Sequence, residues 1–83
     1  SQLQNAFQQY NQNLSQYNYY KSTSLPNAEI IISTAKVGFK SGDIGYIEYL
    51  QALQTATDVQ LNYLQSVNAL NQSIVNINFL TNK

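Results

Sequence analysis

The stretch GFKSGDIGYIEYLQAL, residues 38–53, decides the fold. It holds all three glycines of the chain, Gly38, Gly42 and Gly45, while the sequence on either side keeps a helical spacing of large apolar residues. Gly42 suits the left-handed conformation that closes a helix, and Lys40 lies in the last turn, where a cation meets the carbonyl end favourably. Asp43 is then placed to cap a second helix that begins IGYIEYLQAL. The reading is a helix, a sharp turn near Gly42, and a second helix running back.

Downstream of the turn, Tyr49, Leu53, Ala56, Gln60, Tyr63, Val67, Leu70, Ile74 and Ile77 alternate steps of four and three, a heptad seam interrupted only by Gln60. A second set, Leu50, Leu61, Leu64, Val75 and Leu80, widens the apolar face beyond what a two-stranded coiled coil uses. This helix therefore expects neighbours on more than one side. Upstream, Leu3, Phe7, Tyr10, Leu14 and Tyr17 repeat the alternation, as do Leu25, Ala28, Ile32, Ala35 and Phe39. Between those two sets, Tyr17, Lys21 and Leu25 take two consecutive steps of four, a stutter that locally unwinds a left-handed supercoil.

Pro26 follows the stutter. An interior proline removes one backbone hydrogen bond and costs about 3 kcal/mol, so the helix kinks or stops there. Two continuations are open: a kinked but continuous arm, which is favoured, or a new helix with Ser24 as N-cap and Pro26 in its first turn. The expected fold is all-α, a long antiparallel helical hairpin of coiled-coil character, kinked or broken near Pro26. Residues 1–83 read as one hairpin unit, with arm 1 at about 2–41, the tip at about 42–44 and arm 2 at about 45–81. Folding about the tip matches Phe39 with Ile47, Ile32 with Leu53 or Gln54, and Leu3 with Lys83, so both arms finish together. Each arm would be about 60 Å long at roughly 1.5 Å per residue. The chain is expected to be a segment of a larger protein.

A chain of 83 residues has limited capacity to bury a core, so partners are expected. Lys21, Lys36, Lys40 and Lys83 balance Glu29, Asp43, Glu48 and Asp58, leaving no basic field for nucleic-acid phosphates or anionic lipid. Cysteine, histidine and methionine are absent, which removes thiolate, imidazole and thioether ligands for soft metals, and with them disulfides and Cys or His catalysis. The four carboxylates are scattered, so no acid/base pair forms and no enzymatic activity, cofactor or metal site is expected. The glycines lack the spacing and preceding strand of a phosphate-binding loop. No apolar run approaches the length of a membrane span. Asn and Gln supply most of the polar surface; the regular apolar spacing argues for helix over low-complexity disorder.

The tyrosines, Tyr10, Tyr17, Tyr19, Tyr20, Tyr46, Tyr49 and Tyr63, invite a ligand-stacking reading, but most lie on or beside the seams, where packing explains them. Tyr46 is the exception, since with Phe39 it places aromatic surface at the tip.

The sequence YYKSTSLPNAEIIISTAKVGFKSGDIGYIEYLQALQTATDVQLNYLQSVNALNQSIVNINFLTNK, residues 19–83, resembles the C-terminal helical segment of the TolC-like outer membrane efflux proteins, particularly the cation and heavy-metal branch. Leu25, Pro26 and Ala28 match that family's Leu-Pro-x-Ala opening; Phe39, Gly42, Gly45, Tyr46, Ile47 and Leu50 match its centre; Tyr63, Leu64, Leu80 and Thr81 match its tail. Two positions depart from the pattern: the family commonly has a serine or threonine where Gly45 stands, and a tyrosine where Phe39 stands. A second helical half and membrane β-strands, which a complete protomer of that family has, are not in this sequence.

The resemblance implies a homotrimeric helical tunnel in the Gram-negative periplasm, joined to an outer-membrane barrel and supporting export of metal ions or drugs. Its partners would be a periplasmic adaptor and an RND-type inner-membrane pump. It further implies an adaptor-contacting tip of Phe39, Lys40, Ser41, Gly42, Asp43, Ile44, Gly45 and Tyr46. The helix-packing seam would be Tyr49, Leu53, Ala56, Tyr63, Val67, Leu70, Ile74 and Ile77. The rival is a compact three-helix structural or protein-interaction module, broken at Pro26, with no transport role.

Overall fold

The computed structural model describes residues 1–82. The chain forms α1 (Gln2–Tyr19), a π-helical turn (Tyr20–Ser24), α2 (Leu25–Ser41) and α3 (Tyr46–Thr81). The first three run on as one arm, and α3 returns antiparallel along it, packing on α1, the π turn and α2 in succession. The rod measures 62 × 17 × 16 Å, and its radius of gyration is 18.2 Å, where a compact fold of this length would have about 12 Å. The compact three-helix arrangement is thus not the one adopted. The expected match of Leu3 with Lys83 lies outside the described residues.

Pro26 neither breaks the arm nor starts a new one. Ser24 has helical backbone angles, φ −70° and ψ −45°, and its side chain caps nothing. The helix instead widens just before the proline: the Leu25 N–H reaches back five residues to the Tyr20 carbonyl, and the Ser22 hydroxyl donates to the Asn18 carbonyl at 2.6 Å. A π turn absorbs one more residue than an α turn. The double step of four from Tyr17 to Leu25 is therefore taken up locally, and Tyr17 and Leu25 both stay half-buried against α3.

Small residues make the contact between the arms. Among the described residues the buried side chains are Ala6, Ala28, Ala35 and Ala56, joined by Ser66 and Ser73, with Ala56 at 0% exposure. Alanine and serine at a helix contact let the two axes approach, which the bulk of leucine prevents. Of the seam read from the sequence, Ala56 is buried, Tyr49, Leu53, Tyr63, Val67, Leu70 and Ile77 are half-buried, and Ile74 is 41% exposed. The large side chains thus flank a small-residue line and do not fill it.

One polar cluster crosses that line. The Asn13 amide donates to the Ser73 hydroxyl at 2.5 Å and to the Ala69 carbonyl at 3.2 Å, while Gln9 donates to the Asn13 side-chain oxygen at 3.3 Å. A half-buried amide with specific partners favours one register over its neighbours, because a slip leaves it unpaired. Two unlike grooves lie beside the cluster at the open end of the hairpin. Gln9, Asn13, Gln72 and Asn76 line one, and Phe7, Tyr10, Ile74 and Ile77 line the other.

Candidate functional site

The turn at residues 42–45 is built from backbone hydrogen bonds that only a particular set of residues permits. Gly42 ends α2 with φ +85°, in the left-handed region, where a Cβ crowds the following carbonyl oxygen. Its N–H donates to the Phe39 carbonyl at 3.2 Å, and the Asp43 N–H donates to the Gly38 carbonyl at 2.8 Å. This pair of bonds is the Schellman closure of a helix. The Ile44 N–H shares the Gly38 carbonyl at 3.2 Å.

Gly38 has a separate reason to lack a side chain. Ile44 folds back over it so closely that a Cβ there would lie 3.3 Å from Ile44 Cγ1. The half-buried Ile44 thereby seals the end of the hairpin.

The start of α3 differs from the sequence reading. Gly45, not Asp43, is the N-cap, with extended backbone at φ −85° and ψ 175°. The Glu48 carboxylate accepts from the Gly45 N–H at 3.5 Å, which supplies the reaching-back half of a capping box; glycine has no side chain to supply the other half. Asp43 is one residue too early to cap, because Ile44 and Gly45 are needed to bring the chain round. Its carboxylate stays exposed, as does Lys40.

Aromatic rings meet above this turn. Phe39 stacks on Tyr49 with centroids 5.0 Å apart and planes 4° from parallel, and leans on Tyr46 at 6.0 Å. Tyr46 remains 59% exposed. The tip set is therefore of two kinds: Phe39, Ile44 and Tyr46 form a partly covered apolar cap, while Lys40, Ser41, Gly42, Asp43 and Gly45 lie open to solvent. The Ser41 hydroxyl is turned inward, donating to the Gly38 carbonyl at 3.1 Å. Tyr49 and Gly38 belong to the tip as well, though the sequence reading put Tyr49 on the seam and left Gly38 out. The three-residue step from Tyr46 to Tyr49 puts both rings on one helix face, and that spacing was the available signal.

A second aromatic cluster sits at the π turn. Tyr17 and Tyr63 approach to 5.9 Å across the arms, and the Lys21 ammonium lies 5.7 Å from the Tyr17 ring centroid. The Tyr63 phenol is held above its ordinary value, first by a side-chain hydrogen bond with Tyr17, then by desolvation and the Tyr17 charge, with Lys21 acting in the opposite sense. These contacts join the arms side by side, a packing role for both tyrosines.

Among the described residues no three acidic, His or Cys side chains gather into a cluster that could hold a metal ion. Among the same residues no helix is long and apolar enough to cross a membrane. The chain matches no protein-family model, no curated protein and no solved structure.

Proposed function

We propose that this hairpin is a wall element of a TolC-like outer membrane channel in a tripartite efflux system, and that its turn docks on a periplasmic adaptor. The observation that carries the reading is a 62 Å antiparallel rod that ends in a glycine turn capped by Phe39, Tyr46 and Tyr49. Such a rod holds its tip far from its open end. Its exposed apolar edges suit helices set side by side in a wall, as does its low charge. The motif positions Leu25, Pro26, Ala28, Phe39, Gly42, Gly45 and Tyr46 supply the family resemblance.

In this reading the hairpin is passive. It performs no reaction, the inner-membrane pump supplies the energy, and an exported metal ion or drug is cargo that passes along the wall. The parent protein would be a homotrimer with this part in the periplasm. At the tip, Gly42 and Gly45 allow a partner helix to approach closely, and Lys40 and Asp43 supply opposite charges that can set its orientation. With glycine at 45 and phenylalanine at 39, those two positions offer the adaptor packing surface and no hydroxyl.

Site-specific photocross-linking in the full-length protein in cells tests this, with the reactive residue at Asp43 or, on the arm, at Asn68. An adaptor adduct at Asp43 and none at Asn68 is the expected result. Equal labelling, or labelling at Asn68 alone, would reduce the turn to a connector.

A further inference from the structure

The outer edge of α3 carries Tyr46, Leu50, Leu61, Leu64, Val75 and Phe79, all of which stay exposed in the hairpin, although Phe39 leans on Tyr46 from the other arm. With the exposed Thr57 and Asn68 they occupy one strip about 60° wide on a helix of 3.6 residues per turn. The strip from Tyr46 to Phe79 advances in steps of 4, 7, 4, 3, 4, 7 and 4 residues, so its spacing reads the same in both directions. Its chemistry is palindromic too: aromatic at each end, aliphatic next, a polar residue inside that, and two leucines at the centre.

We propose that this edge is a self-association surface, on which a second copy of the chain packs antiparallel about a two-fold axis between Leu61 and Leu64. In that register Leu61 meets Leu64 of the second copy, Leu50 meets Val75, Tyr46 meets Phe79 and Thr57 meets Asn68, each pairing occurring twice. An isologous contact needs a surface complementary to itself under a two-fold rotation, and a palindromic strip is one.

Area and charge agree. The chain exposes 6105 Å², about 1,100 Å² more than a compact monomer of its mass; that excess, spread over the whole rod, is larger than the roughly 800 Å² per partner that a standard interface covers. Between residues 46 and 81 there is no lysine or arginine, and the only carboxylates are Glu48 and Asp58. In the antiparallel register Glu48 lies opposite Ile77 and Asp58 opposite Val67, so no like charges meet. The pairing sends the two turns to opposite ends, whereas a channel wall keeps its turns at one end. It is independent of the proposed function, and the two arrangements compete for the same edge.

Sedimentation equilibrium of the full chain at about 0.1 mM, combined with a nitroxide at Asn78, tests it. The expected result is a dimer mass and a label-to-label distance of about 46 Å, set by a stagger of 31 residues at about 1.5 Å each. Leu61→Gln with Leu64→Gln is expected to give a monomer of unchanged helicity, while Ile30→Gln with Val37→Gln, on the other arm, leaves the dimer intact. A monomer from the unsubstituted chain, or a distance under about 20 Å from copies packed in parallel, overturns the proposal. The distance is read without altering the strip, so it decides independently of how the double variant folds.

Discussion

Ala56→Leu is expected to lower the thermal midpoint of the hairpin by roughly 8–16 °C, the equivalent of about 2 kcal/mol in a domain of this size. Ala56 has no exposed surface, and it lies on the line where α3 meets the first arm. Three added carbons there have no space to enter, so either the side chain leaves its rotamer or the arms separate. Separation would spread, because Ala28 and Ala35 on the facing arm are buried by the same close approach. Alanine and leucine are both strong helix formers, so the loss reads packing and not propensity. Gln51→Leu, at an exposed position of the same helix, is the control and should stay within about 0.5 kcal/mol of the parent. Thermal unfolding followed by circular dichroism measures both; equal midpoints for the two variants would mean that the small-residue line does not hold the arms together.

Pro26→Ala is expected to act in the opposite direction, stabilising the hairpin by about 1–2 kcal/mol and raising the midpoint by roughly 4–16 °C. An interior proline costs about 3 kcal/mol through a missing N–H and a clash with the carbonyl four residues back. The π turn at Tyr20–Ser24 has already moved the chain out of much of that clash, so alanine recovers mainly the hydrogen bond. The π turn itself should survive the substitution, since the double step of four from Tyr17 to Leu25 still asks for one extra residue in the turn. A lower midpoint would show that the fixed φ of proline supports the widened turn and that the spacing alone does not.

The hairpin was legible because two independent signals agreed: the heptad spacing on both sides and the glycines at the centre. Gly42 could be placed because a left-handed closure needs glycine, a local constraint visible in one residue. The stutter was legible too, and its place coincides with the π turn; the form it took was not, since a stutter specifies a phase shift and several backbone adjustments satisfy one.

What the sequence concealed was tertiary. A heptad reading weights large apolar residues and expects them at the centre. Ala28, Ala35 and Ala56 already stood on the seam in that reading, but Ala6, Ser66 and Ser73, which share the centre with them, did not, because close approach of two helices rewards small volume, polar or not. Asn13 escaped notice for the same reason. It stands seven residues after Ala6, on the same line, and only the arrival of Ser73 and Ala69 from the other arm gives its amide a purpose. At the tip, capping by Asp43 is a sound local expectation that loses to the turn's geometry. Ile44 must reach Gly38, and that moves the N-cap to Gly45.

A tip held far from the open end requires one rod whose first arm passes unbroken through Pro26. Two nitroxides on that arm, at the exposed Gln12 and Lys36, measure this directly, with the labelled chain diluted in unlabelled chain so that only intramolecular pairs are read. A continuous arm sets them about 35 Å apart, from 24 residues at about 1.5 Å each. A chain that folds back at the proline brings them within about 20 Å, and that distance would contradict the extended rod and its remote tip.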